Sequence, residues 1–181
     1  DVGHELRPRF EPQVLAHLDA AFGLARWLQH DEQRAADATQ DACLRAWRHF
    51  DGMLGESPKA WFLAIVRNVC HDEWHAGRTR AERESASEGL PEAAQLDGEG
   101  RAVSPETLAE RASDARRLHA CLTAMDIEHR EVIVLREFEE MSYREISTVI
   151  GVPVGTVMSR LSRGRDRLAA LLGGARQRRM G

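Results

Sequence analysis

The stretch MSYREISTVIGVPVGTVMSRLSRGRDRL, Met141 to Leu168, holds two helix-like apolar patterns on either side of Gly151 and Pro153. That is the spacing of a helix-turn-helix, whose second helix enters a DNA major groove. At 100° per residue, Leu161 and Leu168 fall within about 40° of Val157, so these three form the buried stripe of the second helix. Gly155, Ser159, Ser162, Arg163 and Asp166 lie on the far side. Arg160 and Arg167 flank one edge, and Met158 and Arg165 the other. Short hydroxyls permit close approach, and arginines take guanine edges or phosphates, so this face suits a groove better than a partner helix. Arg163 is the candidate for base contact; Arg160, Arg165 and Arg167 are candidates for the DNA backbone.

Charge follows the same division. The chain has 181 residues and a formal net charge of −4. From Val154 to Gly181, however, seven arginines stand against one aspartate, a basic end of +6. A basic end behind an acidic chain fits phosphate contact, although a solvated basic tail gives the same count. Hydrophobic content of 43% and charged content of 30% are those of a soluble globular protein. No apolar run approaches the ~20 residues that span a bilayer, and DVGHELRPRF lacks the apolar core of a signal peptide, so a cytoplasmic site of action without membrane insertion is expected. Cys43, Cys70 and Cys121 are odd in number and far apart among apolar neighbours, as buried reduced thiols would be.

Helical spacing recurs upstream while no long period-two alternation does, which makes the chain all-α. One stripe runs through Val14, Leu15, Leu18, Ala21, Phe22, Ala25 and Leu28. A second takes Ala36, Cys43, Trp47 and Phe50, with Asp37, Asp41, Arg45 and Arg48 opposite. A third helix is expected from an N-cap at Ser57-Pro58 to about His75. Its core stripe is Trp61, Phe62, Ile65, Val66 and Val69, with Arg67, His71 and Trp74 opposite. An aromatic beside cations on a polar face can stack an unpaired base. From Ala76 to Ser104 the pattern fails among Gly, Ser, Pro and acidic residues, as in a mobile linker. It returns at Ser104-Pro105 with Leu108, Ala112, Ala115, Leu118 and Leu122, and continues from Ile127 to Phe138. The organisation expected is two small helical domains, 10–80 and 105–175, joined by a flexible acidic linker over 81–104.

Two other readings fit these residues. An ordinary helix-turn-helix repressor or activator would bind a palindromic duplex as a dimer without help. A metal or enzyme site could use Cys70, His71 and His75, the two histidines being four residues apart, but no second Cys or His cluster completes it.

LREFEEMSYREISTVIGVPVGTVMSRLSRGRDRL closely resembles the C-terminal promoter-binding domain of bacterial sigma-70 family factors, and VPVGTVMSRLSRGRDRL is typical of the small extracytoplasmic-function (ECF) subfamily. DATQDACLRAWRHF followed by SPKAWFLAIVRNVCHDEW is similar to the family's polymerase-binding and promoter-melting helices. The resemblance implies a dissociable, non-catalytic specificity subunit of bacterial RNA polymerase, built from a minus-10 domain and a minus-35 domain. It implies contacts of Asp37, Gln40 and Asp41 with core polymerase. By the same resemblance Asn68, His71 and Trp74, with Arg67 beside them, face the minus-10 element, and the loop from Asp51 to Ser57 captures a flipped base. Met158, Ser159, Arg160, Ser162, Arg163, Arg165 and Arg167 make the minus-35 set. Here Trp-His-Ala-Gly stands at 74–77 where relatives carry more arginine, and Met125-Asp126 replaces the usual Leu-Pro. An anti-sigma factor is the implied regulatory partner, and no cofactor is implied. The chain has no phosphate-cradling Gly-Lys-Ser/Thr loop, so strand opening would be offset by capture of unstacked bases.

Overall fold

The computed structural model describes residues 9–53, 57–81 and 105–177, all helices, turns and short connections, with no strand among them. Its helices are α1 (Leu18–Gln29), α2 (Glu32–His49) and α3 (Pro58–Ala81) in the first half. The second half holds α4 (Pro105–Thr123), α5 (Ile127–Ile133), α6 (Tyr143–Ile150) and α7 (Val154–Gln177). The linker expected over 81–104 lies outside the described residues except at Ala81, where α3 ends. That helix runs past the expected end near His75, through Gly77.

The first half is a three-helix unit in which α1, α2 and α3 all touch one another. Two of its stripes differ from the expected ones. Chain entry is broken at Val14, a short 3-10 turn spans Leu15–His17, and α1 starts only at Leu18. Leu15 is therefore exposed, while Leu24 and Trp27, absent from the expected stripe, are buried with Ala21, Ala25 and Leu28. On α2 the buried set is Ala35, Ala38, Thr39, Ala42 and Ala46, and not Ala36 and Trp47. Small side chains let α2 approach its two neighbours closely, and the large residues are displaced to the edges of that contact. Trp47 stays partly exposed there, with the Phe10 ring edge-on at 5.0 Å. Local chemistry sets the starts of the helices: Asp31 caps α2 through the Arg34 amide at 2.7 Å, and Ser57 caps α3 through the Ala60 amide at 3.2 Å.

In the second half, α5 widens into a π-helical turn over Val134–Phe138 before the chain reverses. Ser142 then opens α6 with a capping box: its hydroxyl accepts from the Glu145 amide at 3.2 Å, and the Glu145 carboxylate accepts from the Ser142 amide at 2.9 Å. Gly151 ends α6 in the left-handed conformation (φ +69°), which a side chain would strain, and its amide returns to the Ser147 carbonyl at 2.9 Å. Pro153 follows and α7 begins, so the turn that the sequence places at Gly151 and Pro153 is built there.

The two halves pack on each other. Helix α3 lies along α6, α1 meets α5, and buried apolar residues of both halves form one continuous core.

Candidate nucleic-acid interface

Helix α7 carries its residues as the wheel places them. Val157 and Leu161 are buried and Leu168 is half-buried, while Gly155, Ser159, Ser162, Arg163, Asp166 and Arg167 are exposed. Met158 is 54% exposed, a large apolar side chain standing in solvent on the same face. The arginines are not equivalent. Among the described residues, Arg163 and Arg167 pair with no carboxylate. Arg165 pairs with Glu137 at 2.6 Å in an exposed ion pair of little energetic weight. Arg160 is drawn inward, 3.3 Å from Glu128 and 3.6 Å from Glu131. The stripe read from the wheel leaves out Gly164, which lies buried against α5. A Cβ there would stand 3.0 Å from Ile133 Cδ1 and 3.3 Å from the His129 carbonyl oxygen. Its position seven residues after Val157 is the signal that would have found it.

On α3 the four candidate minus-10 residues divide into two pairs. Asn68 is exposed, and Trp74 is 38% exposed with the His75 ring edge-on at 5.1 Å. Arg67 and His71 instead turn toward the second half of the chain. Arg67 donates to both carboxylate oxygens of Glu131, from Nε at 2.8 Å and from Nη2 at 3.1 Å, and His71 Nε2 lies 3.1 Å from the same carboxylate. Glu131 is wholly buried. Burial alone would raise its pKa, but the hydrogen bonds from His71 and Arg67 and their charges outweigh that, holding the carboxyl below its ordinary value and ionised. A charged residue inside the apolar run EVIVL was the available signal for it, because buried carboxylates are paired ones.

Beside Asn68 the three-helix unit has an open cleft of about 510 Å³, lined by Arg45, Arg48, His49, Asp51, Trp61, Ile65 and Asn68. Trp61 and Ile65, expected in the core stripe, are half-buried and form its apolar wall. The edge of the cleft is continuous with the start of the Asp51–Ser57 loop, of which 54–56 lie outside the described residues. Of the acidic candidates on α2, Asp37 and Gln40 are exposed, Asp37 accepting from Gln33 at 3.1 Å. Asp41 pairs with Arg45 at 2.9 Å, and Arg45 reaches Asp72 at 3.4 Å. Cys70 is buried and its thiol is pushed up to about 12 by burial, so it is held as a neutral thiol. Its neighbour His71 faces Glu131, not His75.

Two family models match the chain: sigma-70 region 2 over residues 14–80 and sigma-70 region 4 over residues 115–168. The RNA polymerase sigma-H factor of Pseudomonas aeruginosa is 32% identical over 87% of this chain and 82% of its own length. The ECF RNA polymerase sigma factor SigL of Mycobacterium tuberculosis is 30% identical over 80% of this chain and 78% of its own length. The chain belongs to the ECF RNA polymerase sigma factors. Among solved structures, the sigma factor RpoE of Bartonella quintana, crystallised with the anti-sigma factor NepR, is similar with a TM-score of 0.70 and 26% identity, over 91% of this chain and 97% of that one. In this sigma factor the three-helix unit and the linked cleft fall within the region 2 match, and the helix-turn-helix falls within the region 4 match. No described helix is long and apolar enough to cross a membrane.

Proposed function

We propose that this sigma factor binds bacterial core RNA polymerase and reads a promoter twice: as duplex at minus-35 through α7, and as separated strand at minus-10 through α3 and the cleft beside it. The observation that carries this reading is the exposed α7 face of Ser159, Ser162 and Arg163, fixed by buried Val157 and Leu161 behind a capped turn. Arg163 reads a base edge, while Arg165 and Arg167 hold phosphates. An exposed Arg165–Glu137 pair yields readily to a phosphate. In the minus-10 half, the cleft has an aromatic wall at Trp61, amide donors and an acceptor at Asn68, and cations at Arg45 and Arg48. These are the groups that hold a base taken out of the stack. Asp37, Gln40 and Asp41 on α2 contact core polymerase. The sigma factor is non-catalytic, it works where the polymerase works, in the cytoplasm, and it is held by an anti-sigma factor. The partner in the Bartonella quintana complex supports that last element.

The test is reconstitution of the purified chain with sigma-free core polymerase and transcription from pooled genomic promoter fragments. Discrete transcripts that require the chain are expected. A silent pool, with no co-migration with core and with tight binding to a palindromic duplex alone, would make it a dimeric repressor instead.

A further inference from the structure

The cleft beside Asn68 holds one carboxylate, Asp51, an unusual group for a surface that takes DNA. Asp51 follows directly on α2, in the short 3-10 turn Phe50–Gly52. That turn is pinned: the Phe50 ring is buried edge-on to Phe10 at 5.3 Å, and the Met53 amide donates to the Phe50 carbonyl at 3.1 Å. Asp51 is therefore exposed but held in place. Arg45, at the same cleft, is already drawn to Asp41 at 2.9 Å and to Asp72 at 3.4 Å. Among the described residues, Asp51, Arg48 and Asn68 make no ion pair and no side-chain hydrogen bond, so the acid and the second arginine line one cleft without meeting.

The chemistry of a DNA strand limits what such a carboxylate can meet. Phosphates and deoxyribose within a strand offer acceptors only, and a phosphate repels an acid; the donors are on base edges. Adenine and cytosine present an exocyclic amine with a ring acceptor beside it. Guanine sets a second donor beside its amine, and thymine has one ring N–H between two carbonyl oxygens, both of which stand against a carboxylate. In a duplex the amine is partly spent on the partner base, whereas an unpaired base offers its whole edge. Apart from Asp51, the unpaired groups at the cleft include donors at Arg48 and the Asn68 amide, which suit the ring acceptor, and Trp61 gives the base a surface to stack on. We infer that Asp51 is the specificity-determining residue of the cleft: its carboxylate accepts from the exocyclic amine of one unpaired adenine or cytosine, so the cleft rejects thymine. The inference rests on the reading of the cleft as the minus-10 site, and adds which base edge the cleft takes and through which side chain.

The test uses holoenzyme reconstituted from the full chain and sigma-free core polymerase, on the non-template minus-10 strand of a promoter recovered by the pooled transcription above. Each adenine of that strand is replaced in turn by hypoxanthine and each cytosine by uracil, which exchanges the amine for a carbonyl oxygen, and binding is read by competition. One position should lose about tenfold or more, the worth of a lost base-edge pair. Asp51→Asn, whose amide can turn to donate to a carbonyl oxygen, should cut that loss to about threefold or less while still co-migrating with core. Arg48→Gln should weaken the normal and the deaminated strand alike and leave their ratio unchanged, which sets a loss of charge apart from a loss of base reading. A bound strand with no position sensitive to deamination, or Asp51→Asn keeping the full loss, overturns Asp51 as the base reader and leaves the minus-10 reading standing. Holoenzyme that forms but binds no minus-10 strand overturns that reading and the inference with it, as does failure to form holoenzyme.

Discussion

Arg130 donates a hydrogen bond at 2.9 Å to the carbonyl oxygen of Trp27, 103 positions earlier in the sequence. The same guanidinium donates to the Met125 carbonyl at 2.9 Å, and burial brings its pKa down to about 10, so it remains a cation. A side chain of one half thereby completes the C-terminal end of α1 in the other, with the Trp27 ring resting on His119 and Phe138 beside it. Arg130→Met keeps most of the volume and leaves two buried carbonyls without a donor. We expect a loss of about 1–3 kcal/mol in urea unfolding. Unchanged stability would show that water replaces the guanidinium.

His30 sits next to this arginine, at the left-handed end of α1 (φ 57°), where its Nε2 accepts from Arg130. Burial, then the charges of Arg130 and His119, lower its pKa from the ordinary 6.5 to about 4. The folded protein therefore holds the ring neutral, while the unfolded chain takes up a proton below about 6.5. The contribution is full above that value and is lost as pH falls from 6.5 toward about 4. His30→Asn keeps a residue that tolerates the left-handed backbone and removes the titration. Thermal melts across this window should show wild type losing stability on acidification more steeply than the variant; parallel slopes would assign the acid sensitivity elsewhere.

Gly164 is required by space and not by backbone angle. Alanine would gain about 1 kcal/mol of helix propensity but press on Ile133 and on the fixed carbonyl of His129. Gly164→Val adds branching to that clash. It should destabilise the helix-turn-helix half by about 1–3 kcal/mol, with Gly155→Ala, where nothing lies within 4 Å, as the tolerated control. Denaturant midpoints of the two variants decide, and equal midpoints would mean that α7 shifts to make room.

Arg163 and Arg160 differ in what they do when free of DNA, so their alanine variants should separate. Arg163→Ala removes an exposed side chain. It should weaken discrimination among minus-35 sequences by about 1–3 kcal/mol per contacted base pair while leaving the fold and core binding alone. Arg160→Ala leaves Glu131 with one fewer cation and should lower thermal stability as well. Transcription from a panel of minus-35 variants, read beside melting temperatures, distinguishes them. Equal activity of Arg163→Ala on all promoters would remove its base-reading role.

Asp41 and Asp37 separate in the same manner. Asp41 is already paired with Arg45, whereas Asp37 accepts a hydrogen bond from Gln33. Both charges lie on one outward face, and Asp37→Ala with Asp41→Ala should weaken core-polymerase affinity about additively if each meets its own partner. Affinity unchanged in both would place the polymerase contact elsewhere on the first half.

The sequence alone determined what depends on near neighbours. The turn at Gly151 and Pro153, the cap at Ser57, the all-helical class and the exposed face of α7 follow from residues within one or two helical turns, and helix geometry carries that information directly. It misread α2, because a stripe of alanines looks weak beside Trp47 and Phe50 until it is known that two helices must approach closely there. What only the tertiary structure decided is where Glu131 and Arg130 go and what Arg67 and His71 touch. A buried carboxylate is tolerable only when hydrogen-bonding partners reach it, and here Arg67 and His71 come from 64 and 60 positions away. No local pattern records such a pairing, since its energy is set by burial that exists only after the two halves have come together.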